Sequence, residues 1–157
     1  MRIYLAAPVF SHAERLYNRK LAELLQQKLP KCQVILPQDF RVGDNFSFND
    51  RRRFSTLFRQ CVEALSSADV VVARLDGADV DSGVAFETGY ARALGIPVVG
   101  IRTDYRQLQE KGLNLMLSQG CTDVVCRFSF DERFEPMAEA LAGRIERAIK
   151  TAHQKSS

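Results

Sequence analysis

The chain is poor in the residues that anchor metals, disulfides and polyanions. Its four cysteines, Cys32, Cys61, Cys121 and Cys126, are scattered without a CxxC pair, and its two histidines, His12 and His153, lie at opposite ends of 157 residues. Neither set has the spacing of a zinc site or a disulfide framework, so reduced thiols, a cytoplasmic location and no resident metal or cofactor are expected. Charge of one sign is also scarce, with 22 Lys and Arg against 19 Asp and Glu for a net +3. So small a surplus makes neither a nucleic-acid polymer nor a membrane the expected partner, and it points to a small molecule. The longest apolar runs, 70–73 and 96–101, fall far short of the roughly 20 residues a membrane span requires. Pro8 stands where a secretory apolar region would have to continue, so no export signal is expected. The phosphate-cradling frames GxxxxGK[ST] and GxGxxG are both missing.

What the chain does have is an alternation of short β-branched runs with segments of helical period. Strands are expected at 2–6, 33–36, 70–73, 97–101 and 123–126. Between the first two, Ser11 and Glu14 form a capping box ahead of the apolar stripe Leu16, Tyr17, Leu21, Leu24 and Leu25, in a helix that ends near Pro30. Phe54, Leu57, Phe58, Cys61 and Leu65 mark a second helix from 52 to Ser66, and 83–94 a third, stopped by Gly95. In that third helix Ala85, Gly89 and Ala93 form a small-residue stripe expected to lie close on the sheet. Phe134, Met137, Leu141, Ile145 and Ile149 mark the last helix. Two segments, 37–50 and 102–120, lack a period and read as long loops. Residues 1–152 form one domain on this reading and 153–157 a frayed tail. Five βα units predict an α/β fold: a doubly wound, three-layer sandwich of flavodoxin or Rossmann type, its parallel sheet ordered 2-1-3-4-5.

In such sheets ligands bind beyond the carboxyl ends of the strands, near the switch between strands one and three. The loop there, 74–83, carries Asp76, Asp79, Asp81 and Gly83, and Glu87 follows one turn into the next helix. A carboxylate near a helix N-terminus is expected to stay ionised, which suits a nucleophile, while Asp81 beside it could hold a proton as acid or base. The competing reading makes the aspartates turn or capping residues and Glu87 an exposed first-turn glutamate. Asp79-Val80-Asp81 is a DxD triplet that holds divalent metals in some transferases, and Arg51-Arg52-Arg53 could grip a phosphate. Both patterns are common without function. Phe40, Phe46 and Phe48 either cover a pocket or cap the core, with the core favoured.

Taken together, Ile3-Tyr4-Leu5-Ala6-Ala7-Pro8-Val9-Phe10, Ala68-Asp69-Val70-Val71-Val72-Ala73, Asp81-Ser82-Gly83-Val84-Ala85-Phe86-Glu87-Thr88-Gly89-Tyr90-Ala91 and Leu113-Asn114-Leu115-Met116-Leu117 resemble the nucleoside 2-deoxyribosyltransferase family. The resemblance implies cleavage of the N-glycosidic bond of a 2′-deoxynucleoside and transfer of the deoxyribosyl group to another purine or pyrimidine base. It implies that Glu87 attacks C1′, that Tyr4 orients Glu87, and that Asp81 exchanges a proton with the bases. Asn114, with Met116 nearby, would reach a neighbouring subunit's site and hold the 5′-hydroxyl, which makes the active form a homo-oligomer. Gly83 belongs to the same substrate-binding set. Base contacts are expected from the loop that opens with Gln38 and Asp39, and exclusion of water from Phe10, Phe40 and Phe48. The sequence departs from the family at Cys61, where Asp or Asn usually stands near the base. That departure keeps a second reading open, a nucleoside or deoxynucleoside 5′-monophosphate N-glycosidase that uses the same glutamate with water as acceptor. Asp81 would repel a phosphate, which favours unphosphorylated nucleosides. A nucleotide-sensing module without turnover is the third reading.

Overall fold

A computed structural model describes residues 1–41, 50–106, 113–128 and 133–155 of the chain. Five strands, β1 (Arg2–Ala6), β2 (Gln33–Ile35), β3 (Val70–Arg74), β4 (Val98–Arg102) and β5 (Asp123–Cys126), form one sheet in the order β2-β1-β3-β4-β5. Every pairing is parallel, with Ile3 opposite Val34 and Val70, and Val72 opposite Val99. Both the topology and the strand positions match the expected doubly wound fold.

Alternation along β1 sorts the molecule into two cores, because successive strand residues face opposite sides of the sheet. Ile3 and Leu5 pack with Leu21 and Leu25 of α1 (His12–Lys28) and with Leu141 and Ile145 of α5 (Glu135–Lys155). Tyr4 and Ala6 face the other way, joining Leu65 of α2 (Arg51–Ser66) and Val84 and Ala91 of α3 (Ser82–Ala93). The capping box forms as expected. Ser11 Oγ accepts from the Glu14 N–H at 3.2 Å, and Glu14 accepts in return from the Ser11 N–H at 2.6 Å. At the end of α3, Gly95 takes φ +75°, a conformation L side chains rarely adopt.

Four local expectations change. The connection after β4 contains a short helix, α4 (Leu115–Gly120), packed on α3. Its N-terminus is capped by Asn114, which accepts from the Met116 N–H at 2.9 Å. Pro37–Asp39, read as loop, is one 3-10 turn. The last helix continues to Lys155, through His153, because nothing after Ile149 breaks a helix. The small-residue stripe of α3 faces away from the sheet: Gly89 and Ala93 are exposed, while Val84, Thr88 and Ala91 form the buried face. Phe46 and Phe48 lie outside the described residues.

Candidate active site

The inward face of α3 carries Val84, Thr88 and Ala91 at helical spacing, and Glu87, next to Thr88, comes with it. There it meets Tyr4, which β1 presents on the same side of the sheet. The Tyr4 hydroxyl donates to Glu87 Oε1 at 2.5 Å, joining residues 83 positions apart. Tyr4 is fully buried. Burial, and then the adjacent Glu87 charge, hold its phenol well above its ordinary value, so it remains a donor. Glu87 Oε2 has no partner among the described residues.

Glu87 differs from the ionised first-turn glutamate that was expected. It lies five residues beyond Ser82, past the turn in which the helix dipole acts, and it is mostly buried. Burial pushes its carboxyl up from the ordinary value to about 7; the Tyr4 bond opposes that shift and the charge of Asp81 adds to it. Desolvation outweighs the dipole here, leaving a group poised close to neutrality.

In front of the pair is a cavity of about 470 Å³, lined by Phe10, Gly83, Glu87 and Cys61 together with residues of α2 and α3. The apolar stripe of α2 is largely the wall of this cavity. Of that stripe only Leu65 is buried, while Phe54 and Phe58 are 42% and 58% exposed. The wall continues with Phe86, whose ring stacks on Tyr90 at 5.9 Å and meets Phe58 at 6.1 Å. Sequence reasoning missed Phe86 and Tyr90 as site residues. The signal that could have found them is their i, i+4 spacing on the helix that carries Glu87. Cys61 lies against the Tyr4 hydroxyl, and burial raises its thiol above the ordinary value.

The other candidates sit further out. Asp81 caps α3, its Oδ1 accepting from the N–H groups of Gly83 (2.9 Å) and Val84 (3.1 Å). It is near enough to Glu87 to raise that carboxyl, so capping and proximity to the site coexist. Gln38 and Asp39 line a separate surface hollow with His12 and Arg19. Gln38 donates to the Arg15 carbonyl at 3.1 Å and accepts from Asn18 at 3.2 Å, while Asp39 forms a two-pronged ion pair with Arg19. Asn114 and Met116 are exposed and do not line the Glu87 cavity of their own chain.

The remaining motifs resolve as local structure. Asp79 is exposed, and no group of three His, Cys, Asp or Glu among the described residues could hold a metal ion. Arg53 pairs with Asp50, the α2 cap, at 3.0 Å. Phe40 packs against the core. Among the described residues no helix is long and apolar enough to cross a membrane.

Known structures share this architecture. A conserved protein from Enterococcus faecalis superposes with a TM-score of 0.71 at 29% identity, over 94% of this chain and 98% of that one. A 2-deoxyribosyltransferase from Bacillus psychrosaccharolyticus gives 0.65 at 25% identity, over 80% of this chain and 85% of that one. The 2-deoxyribosyltransferase from Leishmania mexicana gives 0.61 at 27%, over 88% and 97%. No curated protein matches the sequence. The model of the nucleoside 2-deoxyribosyltransferase family matches residues 3–117, which include Tyr4, Glu87 and Asn114, and the chain belongs to that family.

Proposed function

We propose that this protein cleaves the N-glycosidic bond of 2′-deoxynucleosides and transfers the deoxyribosyl group to another purine or pyrimidine base through a covalent intermediate on Glu87. The observation that carries the reading is Glu87 on the cavity lining, bonded to the fully buried Tyr4. One carboxylate oxygen is fixed by a buried donor at 2.5 Å and the other is unpartnered among the described residues, in front of an apolar space. That is the arrangement of a positioned nucleophile.

Cleavage develops positive charge at C1′, which a close anion in a water-poor pocket stabilises strongly. Glu87 Oε2 attacks C1′ as the base leaves, and Tyr4 holds Oε1 so that Oε2 points at the sugar. Asp81 gives a proton to the departing base and recovers one from the arriving base. Two displacements return the original configuration at C1′. They need a nucleophile and a proton donor, and neither step calls for a metal. Asn114 and Met116, exposed at the start of α4, are suited to complete the site of a neighbouring copy by holding the 5′-hydroxyl, which makes the working form a homo-oligomer. Phe10 closes over the bound sugar to limit water, with Gly83 giving the backbone close access, while Gln38 and Asp39, held by Arg15, Asn18 and Arg19 in a separate hollow, are left out of the site. Among the described residues no lysine, arginine or histidine lines the cavity, which supports an unphosphorylated substrate. The corresponding cellular role is base salvage in the cytoplasm.

One observation favours hydrolysis as a second reading. Cys61, on the cavity wall against Tyr4, is a weak hydrogen-bonding group where the family usually has Asp or Asn, and it gives an acceptor base little to hold. Chromatography of purified protein with a deoxynucleoside donor, with and without a different free base, separates the two. A new deoxynucleoside that disappears in Glu87→Ala is the expected result. Free deoxyribose accumulating equally with and without acceptor would establish the hydrolase, and no turnover of any donor would leave a binding module.

A further inference from the structure

The Glu87 cavity combines two features that neither neutral bases nor phosphates require. Its wall presents aromatic rings from three elements: Phe10 after β1, Phe54 and Phe58 of α2, and Phe86 and Tyr90 of α3. Phe86 is in ring contact with both Phe58 (tilted) and Tyr90 (stacked). Among the described residues the cavity is lined by one acidic side chain, Glu87, and by no basic side chain that would repel a positive ligand. Aromatic faces are electron-rich and attract cations, most strongly where water is excluded, and a carboxylate supplies the counter-charge.

We infer that the cavity favours nucleosides whose base is a positively charged heteroaromatic ring, such as an N-alkylated purine or a pyridinium, over those carrying a neutral ring of the same shape. The inference deepens the proposed function, since it rests on Glu87 as the group that attacks C1′. The chemistry balances without a proton donor. As the C1′–N bond breaks, its electron pair moves to the ring nitrogen and neutralises the ring. At the same time Glu87 Oε2 forms a C1′–O bond and gives up its negative charge. One cation and one anion become two neutral groups, which an apolar pocket favours. A neutral base would instead leave as an anion or need a proton. Among the described residues the wall offers for that purpose only the Cys61 thiol and the Tyr90 hydroxyl besides Glu87 itself, with Asp81, the cap bonded to Gly83, beside it.

The test compares binding of 1-methylnicotinamide, a cation, with that of its neutral isostere 3-methylbenzamide by calorimetry. The cation is expected to bind at least about ten-fold more tightly, the advantage shrinking to about two-fold or less in Glu87→Gln. Phe58→Leu and Phe86→Leu keep apolar area but lose a ring face, and each should lower the ratio. Equal binding, tighter binding of the neutral ring, or no detectable binding of the cation overturns the inference. Turnover of 7-methyl-2′-deoxyguanosine against 2′-deoxyguanosine, each relative to its uncatalysed cleavage, should favour the cationic donor. Neutral donors processed through Glu87 with no cation preference would refute this inference and leave the proposed function standing. Absence of any Glu87 adduct would refute the proposed function, while the binding ratio still reports the preference of the cavity.

Discussion

Asp76 and Glu87 are both carboxylates at the carboxyl edge of the sheet, and their surroundings are opposite. Asp76 accepts from the Thr103 N–H at 2.6 Å, the Thr103 hydroxyl and the Asp104 N–H at 2.9 Å each, and Arg74 Nε at 3.2 Å. It stitches the loop after β3 to the one after β4. Beside it the buried Arg102 donates to the carbonyls of Leu75, Gly77 and Arg106. Glu87 has one bond among the described residues, from Tyr4, and otherwise faces a cavity. A carboxylate whose lone pairs are filled by fixed donors is structural, whereas one kept short of partners and of water is reactive. Counting acidic residues along 74–87 could not separate these roles.

The largest expected effect lies on the reactive side of this contrast. Glu87→Ala should lower turnover by at least ~10³-fold, since a nucleophile has no substitute. Retained activity in the assay would place the chemistry elsewhere. Stability sharpens the point through its pH dependence. Burial raises Glu87 from 4.5 in the unfolded chain to about 7 in the fold, so the folded protein keeps a proton that the unfolded chain has lost. Its contribution is therefore complete below about pH 4.5 and lost as pH rises through about 7. Chemical denaturation should show Glu87→Gln gaining about 3 kcal/mol relative to wild type between pH 4 and pH 8.

The structural side responds differently. Asp76→Ala strands the donors of Thr103, Asp104 and Arg74, and it should cost about 2–3 kcal/mol of folding stability while leaving turnover within a few-fold of wild type at temperatures where the variant is folded. Activity lost in proportion to that of Glu87→Ala would dissolve the contrast. The smallest effect is expected for Tyr4→Phe, about ten-fold in rate. The Tyr4 bond lowers the Glu87 carboxyl, so its loss should move the rising limb of the pH–rate profile above its wild-type midpoint near 7. A rate drop with an unmoved limb would mean that Tyr4 only packs.

Much of the fold could be read in the chain because strands and helices have different apolar periods and five alternations admit few topologies. Ser11 with Glu14, the β-branched run Val70, Val71 and Val72, and Gly95 each specify their element locally. The site was less accessible for reasons that are three-dimensional. Phe54 and Phe58 have the spacing of a core stripe, and only the separation between α2 and α3 turns them into a cavity wall. The raised carboxyl of Glu87 comes from burial, which spacing does not report, and the dipole argument that predicted an ionised group omitted it. Asn114 is a helix cap within its own chain, and any second role depends on a neighbouring copy.

The central claim is that Glu87 becomes covalently bonded to the sugar. Intact-protein mass spectrometry after mixing with excess 2′-deoxynucleoside, followed by peptide mapping, tests it most directly. The account predicts a mass increase of one deoxyribosyl group on the peptide containing Glu87, absent in Glu87→Gln and discharged by added base. Turnover at full rate with no adduct under rapid quench, or an adduct on another residue, would contradict it.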